Sequence, residues 1–180
     1  MIINRVWAMP SKWTFTIKPI AELLARYVGD GRGWIDPFAG ESGLAEITND
    51  LNPNKVATCH MDALEFLHRL PDSTYKGVLF DPPYSPRQVS ECYQSIGIKV
   101  TTQDTQSRFW GDLKKEIART IVNNGICITF GWNSNGIGKK LGFEIVEILL
   151  VPHGGWHNDT IVTVERKLQS AMLLNGVDKG

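Results

Sequence analysis

The sequence has no long hydrophobic run and no excess of either charge. None of its apolar stretches approaches the roughly 20 residues that span a bilayer as a helix, and residues 1–5 lack the charged-then-apolar pattern of a secretory signal. Lysine plus arginine and aspartate plus glutamate are balanced at 19 each, so the chain does not hold a polyanion by bulk charge. We therefore expect a cytoplasmic protein without a membrane segment, in which any contact with nucleic acid is local.

Cysteines and clusters of metal ligands are also scarce. Cys59, Cys92 and Cys127 lie far apart, which argues against both a disulfide framework and a thiolate metal site. His60 has no second ligand at metal spacing, so no metal is expected. The 180 residues, 42% of them hydrophobic, fit a single domain over 1–180, in which residues 168–180 form a tail with little signal.

The stretch with the clearest chemical meaning is Asp81-Pro82-Pro83-Tyr84, which follows an apolar run at 77–80. An apolar strand that ends abruptly at two prolines predicts a loop at the carboxyl edge of a sheet, where open α/β sheets bind their ligands. Asp81 and the carbonyl of Pro82 can each accept one N–H of an exocyclic amine, while Tyr84 stacks on the ring that carries it. The plainer alternative is an ordinary turn with a surface tyrosine.

A second candidate loop follows a predicted strand at 33–35. It reads Asp36-Pro37-Phe38-Ala39-Gly40-Glu41-Ser42-Gly43, and residues 44–47 are predicted to start a helix after it. Strand, glycine loop and helix in this order let a backbone approach a ligand closely. Asp36 and Glu41 would repel a polyphosphate and no Gly-Lys-Ser/Thr follows, so the loop suits a positively charged ligand. A tight strand-to-helix turn is the alternative.

The remaining pattern predicts an alternating α/β chain. Helices are predicted at 17–28, 63–70, 87–95 and 111–122, and strands at 56–62, 75–80, 126–130, 143–151 and 160–167. Asp62 is the expected N-cap of the helix at 63–70, and Asp50 lies in an acidic and amide cluster where a ribose diol would need acceptors. The long polar segment 85–110 is a candidate lid or substrate loop.

Three of these segments together resemble a known family. Phe15-Thr16-Ile17-Lys18-Pro19-Ile20, Asp36-Pro37-Phe38-Ala39-Gly40 and Asp81-Pro82-Pro83-Tyr84 are similar, in kind and order, to the amino-methyltransferases that modify adenine N6 in DNA with S-adenosylmethionine. The resemblance implies an α/β protein with a Rossmann-like class I methyltransferase fold, in which a seven-stranded mixed sheet carries helices on both faces. It extends over the organisation of the whole chain, whereas only the two loops are specific.

The resemblance also implies a role for each segment. The catalytic residues would be Asp81, Pro82, Pro83 and Tyr84. The cofactor would be bound by Phe15, Ile17, Lys18, Asp36, Pro37, Phe38, Gly40, Asp50, Asp62 and Ala63. The substrate would be contacted by Tyr84, Ser85, Arg87, Arg108, His157 and Asn158. The partner would be DNA, either single-stranded or a duplex whose target adenine is flipped out.

Two departures from the family's pattern concern cofactor binding and target recognition. The family's cofactor loop often ends in Gly-x-Gly, whereas here Ser42 occupies the last position and Gly43 follows. About forty residues separate the two loops, which leaves little room for a target-recognition domain. Either the target is short and loosely defined, or a second copy in a homodimer or a recognition subunit reads it. Such a compact enzyme suits a phage or mobile element.

Four functions are weighed against one another. The favoured one is DNA adenine-N6 methylation; the second keeps the chemistry but acts on an adenine or guanine amine of RNA, or on cytosine N4. The third is a non-catalytic subunit with a methyltransferase fold, and the fourth is an enzyme that consumes the cofactor alone. The tetrad argues against the last two, since neither needs the base-stacking Tyr84.

Overall fold

The computed structural model describes residues 1–83, 94, 97, 107–155 and 157–169, and residues 107–109 by their backbone alone. The strands are β1 (Ile2–Arg5), β2 (Trp34–Asp36), β3 (Ile47–Thr48), β4 (Tyr75–Phe80), β5 (Ile121–Gly131), β6 (Phe143–Val151) and β7 (Thr160–Lys167). The helices are α1 (Lys18–Val28), α2 (Ala63–Arg69) and α3 (Ser107–Thr120), with 3₁₀ turns at Thr14–Thr16 and Lys139–Leu141. No helix in these described ranges is long and apolar enough to cross a membrane.

The strands form one mixed sheet in the order β1-β6-β7-β5-β4-β2-β3. β7 runs antiparallel to β5 and β6, and the other neighbouring pairs are parallel. Because parallel strands point the same way, β2, β3, β4 and β5 all end at one edge of the sheet. Open α/β sheets bind ligands at this edge, and both candidate loops of the sequence lie there.

Helices cover both faces of the sheet, as the alternation of side chains along a strand requires. On one face, Leu79 of β4 packs in a cluster with Ile20, Leu23 and Leu24 of α1. On the other face, its neighbours Val78 and Phe80 belong to a cluster that includes residues of α2 and α3, among them Phe66, Leu67, Leu113 and Ile117. Burial of each such side chain contributes about 1.5–3 kcal/mol. The predicted mixed sheet with helices on both faces is confirmed.

The predicted helical start at 44–47 is wrong. The backbone N–H of Glu46 donates to the Gly31 carbonyl at 3.1 Å, and its carboxylate accepts from the Gly33 N–H at 2.5 Å. These bonds fasten the segment to the turn that precedes β2, and Ile47 and Thr48 continue as strand β3. The glycine loop therefore leads into a strand rather than a helix.

Three smaller differences concern element boundaries. The predicted strand at 56–62 is reduced to one bridge, between Asn49 and Cys59. Helix α3 begins at Ser107 rather than 111, and β5 begins at Ile121 rather than 126. β1 was not predicted, because its four residues are all exposed and show no apolar alternation. Of the predicted helix at 87–95, only Gln94 is among the described residues, and its backbone is helical.

Candidate active site

Three aspartates meet at the carboxyl edge of the sheet. Asp36 is the last residue of β2, Asp50 follows β3, and Asp81 follows β4 directly. Strand β2 lies between the other two, so neighbouring strands deliver all three carboxylates to one place. Burial raises the pKa of Asp36 well above its usual range; the Phe38 N–H that donates to it lowers this pKa, and the charges of Asp81 and Asp50 raise it. The three groups are therefore close enough to interact.

Asp36 combines complete burial with an unpaired oxygen. Its Oδ1 accepts the Phe38 N–H at 3.0 Å, whereas its Oδ2 has no hydrogen-bond partner among the described residues. A buried carboxylate oxygen without a partner is costly unless a cation or donor satisfies it. The local electrostatics therefore favour a positively charged ligand, as the sequence predicted for this loop.

The glycine loop is held in place by the two residues that follow β3. Asn49 is buried and its side chain donates to the carbonyls of Pro37 and Met61 at 3.1 and 3.0 Å, while its oxygen accepts the Met61 N–H at 3.2 Å. Asp50 accepts the N–H of Gly40 at 3.0 Å and that of Asn52 at 2.8 Å. The loop conformation is thus fixed by side chains of the neighbouring strand end.

A cavity of about 520 Å³ opens beside this loop. Its volume lies within the range of roughly 300–1,000 Å³ typical of small-molecule sites. The walls come from the N-terminal segment, the glycine loop and the first residue of the tetrad, and they comprise Lys12, Trp13, Thr14, Phe15, Thr16, Phe38, Ala39, Gly40, Glu41, Ser42, Gly43, Leu44 and Asp81. The structure therefore brings the two motifs and the aromatic segment of the sequence together around one space.

The predicted cofactor residues divide into two groups. Phe15, Phe38 and Gly40 line the cavity, together with Asp81. The others do not line it. Ile17 lies in the core and Lys18 is the first residue of α1. Asp36 and Pro37 directly precede Phe38 in the sequence, and Asp50 accepts the N–H of Gly40. Asp62 is the N-cap of α2, accepting the N–H groups of Leu64 and Glu65, and Ala63 is buried beside it.

The predicted substrate residues are only partly within the described ranges. Tyr84, Ser85 and Arg87 lie outside them, as does the side chain of Arg108, whose backbone belongs to α3. His157 and Asn158 are exposed in the connection between β6 and β7. No group of three His, Cys, Asp or Glu residues in the described part of the chain is arranged to hold a metal ion.

The β6–β7 connection is tied to the segment that walls the cavity. His153 is buried, its Nδ1 donates to the carbonyl of Ala8 at 2.9 Å, and its Nε2 lies 2.9 Å from the hydroxyl of Thr160. Ala8 leads into the cavity-lining residues that start at Lys12. The loop that carries His157 is therefore anchored to the segment that leads into the cavity wall.

The sequence indicated only some of the residues at the mouth of the cavity. Trp13 is 41% exposed, and the ammonium groups of Lys12 and Lys55 lie 5.0 and 5.7 Å from its ring. Lys55 also donates to Glu41 of the glycine loop at 2.5 Å. Lys12 and Trp13 lie in the aromatic-rich segment 7–15, whose pattern is compatible with a pocket wall and equally with core filling, but nothing in the sequence indicates Lys55. Asn49 was likewise recognised only as part of a polar cluster.

No protein-family model and no curated protein sequence matches the chain, whereas its fold matches solved structures. The 1,6-didemethyltoxoflavin-N1-methyltransferase of Burkholderia thailandensis, solved with 1,6-didemethyltoxoflavin and S-adenosylhomocysteine, superposes with a TM-score of 0.57 at 12% identity, over 84% of this chain and 78% of that one. A SAM-dependent methyltransferase from Archaeoglobus fulgidus gives 0.55 at 13% identity, over 83% and 94%. TrmN from Thermus thermophilus gives 0.54 at 16%, over 84% and 49%.

At such low identities the likeness concerns the fold. The order of the sheet, its one antiparallel strand and the helices on both faces agree with it. The chain has a Rossmann-like class I methyltransferase fold.

Proposed function

We propose that this protein binds S-adenosylmethionine in the 520 Å³ cavity and transfers its methyl group to the exocyclic N6 amine of adenine in DNA. One observation carries the proposal. Asp81, the first residue of the amine-binding tetrad, lines the same cavity as the glycine loop and Phe15. A methyl donor and an amine must meet within bonding distance, and this is the arrangement that places a donor site beside an amine acceptor.

The residues present fit the proposed cofactor. S-adenosylmethionine carries a sulfonium and an ammonium, and the unpaired buried oxygen of Asp36 with its two neighbouring carboxylates favours positive charge. Phe15 and Phe38 offer apolar ring surface in the cavity wall. Asp50 would accept the ribose hydroxyls, and Asp62 with the backbone of Ala63 would bind the adenine amine of the cofactor. Two of the solved structures that match this fold contain S-adenosylhomocysteine.

The tetrad would prepare the amine. When bound, the cofactor supplies a methyl group that is electrophilic because it is attached to a positive sulfur. The Asp81 carboxylate and the Pro82 carbonyl each accept one N–H of the amine, which turns the nitrogen lone pair out of conjugation with the ring. Prolines at 82 and 83 have no backbone N–H to compete for these acceptors. As the nitrogen–carbon bond forms, the carbon–sulfur bond would break and the neutral thioether S-adenosylhomocysteine would leave; the nitrogen would then lose a proton to solvent, so Asp81 orients the amine rather than removing its proton first.

The adjacent carboxylates would also act on the charge that develops. Positive charge appears on the nitrogen as the new bond forms, and Asp81 stands beside Asp36 in a partly enclosed site where such charge is stabilised more than in water. Tyr84 would fix the plane of the ring, and Ser85, Arg87, Arg108, His157 and Asn158 would contact the strand. A homodimer or a recognition subunit would extend these contacts along the DNA.

The proposal is tested by the transfer of a labelled methyl group from S-adenosylmethionine to unmodified duplex DNA, single-stranded DNA and RNA in parallel. We expect label on DNA, its loss in Asp81→Ala, and its retention in Asp30→Ala, which removes an exposed carboxylate on another loop. Label on RNA alone would show that the substrate is RNA rather than DNA. No label on any polymer, despite measured cofactor binding, would contradict the proposed reaction.

A further inference from the structure

A second, smaller cleft lies on the other side of the tetrad. Its volume is about 180 Å³, against about 520 Å³ for the cofactor cavity. It is formed by the residues after β4, one face of α3 and the end of β5, and its lining comprises Phe80, Pro82, Pro83, Trp110, Lys114, Thr129, Phe130, Gly131, Trp132, Asn133 and Gly136. The cleft is too small for a drug-sized ligand and suits one planar ring.

The walls of the cleft offer two indole rings and a cation. Trp110 and Lys114 are four residues apart on α3, so they share one face of the helix. Trp132 follows β5 and is 46% exposed. Exposed tryptophan beside lysine, in a cleft of this size, is the combination on which bases of single-stranded nucleic acid stack while a phosphate is neutralised.

The tetrad separates the two spaces at one peptide bond. Asp81 lines the cofactor cavity, whereas Pro82 and Pro83 line the smaller cleft. An amine that binds the Asp81 carboxylate and the Pro82 carbonyl at once must therefore lie at the boundary. Its methyl-accepting side then faces the cofactor cavity, and the ring that carries it extends toward the cleft.

The loop that closes the cleft is rigidly supported from β7. The buried carboxylate of Glu165 accepts the N–H groups of Ile137 and Gly138 at 2.5 and 2.9 Å. Gly136 lies directly against it: a Cβ there would be 2.2 Å from the Glu165 Oε2, and its φ of +51° also favours glycine. Asn133, on the same loop, accepts the Asn135 N–H through its side-chain oxygen, and its NH₂ group can donate to a ring.

We propose that this cleft binds the ring of the methyl-accepting nucleotide, with Trp132 as the stacking surface for one face of the ring, Trp110 as an apolar wall against its edge, the amide of Asn133 as a donor to a ring nitrogen, and Lys114 as the contact for its phosphate. The inference rests on the proposed function, because it takes Asp81 and Pro82 as the amine acceptors. It adds that the substrate is recognised as a nucleotide of an anionic strand. A free base would lack the contact to Lys114.

The first test compares Trp132→Ala with Trp132→Phe. Binding of a single-stranded adenine-containing oligonucleotide is measured by fluorescence anisotropy with S-adenosylhomocysteine present, so that the readout does not depend on turnover. Loss of the stacking surface should weaken binding roughly 10- to 100-fold in Trp132→Ala and much less in Trp132→Phe, given the energies of base stacking. Cofactor affinity and melting temperature should be unchanged in both, because Trp132 is half exposed and does not line the cofactor cavity.

The second test compares Lys114→Gln with Lys115→Gln. The two lysines are adjacent on α3, but only Lys114 lines the cleft, whereas Lys115 is exposed and pairs with Asp112. Lys114→Gln should reduce the slope of log affinity against log salt by about 0.7, the value for one phosphate contact on a single strand. Lys115→Gln should leave the slope unchanged.

The outcomes separate this inference from the proposed function. Methyl transfer with oligonucleotide affinity unchanged in Trp132→Ala would overturn the cleft and leave the function standing. Oligonucleotide binding that Trp132→Ala weakens, without any methyl transfer, would support the cleft as a ring site and overturn the function. The proposal that the cleft binds the ring would also be contradicted if the wild-type protein failed to bind the oligonucleotide, or if Trp132→Ala and Trp132→Phe had equal effects.

Discussion

The two spaces beside the tetrad are built in different ways. The larger cavity is walled in part by a glycine loop, residues 37–44, that the side chains of Asn49 and Asp50 hold from the next strand end. The smaller cleft is shaped by large side chains, with Trp110 and Trp132 brought together from α3 and β5. The first is thus defined by hydrogen bonds to a loop, and the second by the packing of distant elements.

This difference predicts where each space is vulnerable. Substitutions of Asn49 or Asp50, which hold the glycine loop, should weaken both cofactor binding and folding stability, because the same hydrogen bonds fix the loop for both. Damage to the cleft should change substrate binding while the cofactor still binds. Asp81, which stands between the two, should affect the reaction more than either binding step.

The largest effect is expected from Asp81→Ala. Loss of the carboxylate removes one of the two amine acceptors, and transfer should fall by roughly 10²-fold or more, as when a preorganised polar contact to a transition state is deleted. The dissociation constant for S-adenosylmethionine should change little. Asp50→Ala should do the reverse and weaken cofactor binding first, because it frees the Gly40 N–H and removes the proposed ribose acceptor.

Methyl-transfer rates and cofactor titrations of Asp81→Ala and Asp50→Ala would show which residue acts in the reaction and which in cofactor binding. Asp50→Asn is the matched control, since its amide oxygen can still accept one of the two backbone N–H groups. The reverse pattern, with cofactor binding lost in Asp81→Ala and transfer alone lost in Asp50→Ala, would refute the assignment.

Asn49→Ala should have the next largest effect, on folding. It leaves the buried carbonyl of Pro37 and the part-buried carbonyl of Met61 without their side-chain donor, which costs about 1–3 kcal/mol in the free energy of unfolding. Denaturant unfolding would measure it, and cofactor affinity should fall with it. Asn52→Ala removes only an exposed bond to the Asn54 N–H and should stay within about 0.5 kcal/mol of the wild type. Equal losses in the two variants would show that Asn49 does not hold the loop.

Substitutions of Tyr84 test whether this side chain stacks on the ring of the substrate. Stacking depends on the ring rather than on the hydroxyl, so Tyr84→Phe should be mild and Tyr84→Ala should weaken substrate binding by roughly 1–3 kcal/mol. The Michaelis constant for the polymer, measured at saturating cofactor, would report the change. Similar damage from both substitutions would mean that the hydroxyl, not the ring, carries the role.

The smallest effect concerns pH. Burial raises the pKa of Asp36 well above its usual range, so the folded protein keeps a proton on it where the unfolded chain has lost one. Stability from this group is therefore full below the unfolded pKa of about 3.9 and declines as pH rises toward the folded pKa. Asp36→Asn should flatten that decline in thermal unfolding, whereas Asp30→Asn, at an exposed site, should not.

The same group should couple cofactor binding to pH. A positively charged cofactor favours ionised Asp36, so the affinity of the wild type for S-adenosylmethionine should rise with pH through the pKa of Asp36. In Asp36→Asn the affinity should be lower and independent of pH in that range. An affinity that falls as pH rises would contradict a cation bound near Asp36.

Much of the fold could be predicted because its strands follow simple patterns. The ranges predicted for β4, β6 and β7 are those found, and α1 differs by one residue, since each has a clear apolar period. The segment 44–47 could not be predicted, because two hydrogen bonds from Glu46 to the turn at Gly31 and Gly33 override its helical pattern. β1 has no pattern of its own and exists by pairing with β6.

Some residues of the candidate site could be placed from the sequence, and others could not. The glycine loop and Asp81 could be placed together from sequence, because they follow β2 and β4, two neighbouring parallel strands that end at the same edge of the sheet. Lys55 could not, since it reaches Trp13 and Glu41 only through the folded loops. Trp110 and Trp132 also gave no signal, because a cleft between a helix and a strand end depends on tertiary packing.

The most direct test of the central claim is to identify the modified nucleoside. DNA treated with the protein and S-adenosylmethionine is digested to nucleosides and analysed by mass, with Asp81→Ala as the control. We expect N6-methyladenine in the wild-type sample and none in the control. Methyl groups on cytosine N4, on ring carbons, or equally in both samples would contradict an amine of adenine held between Asp81 and Pro82.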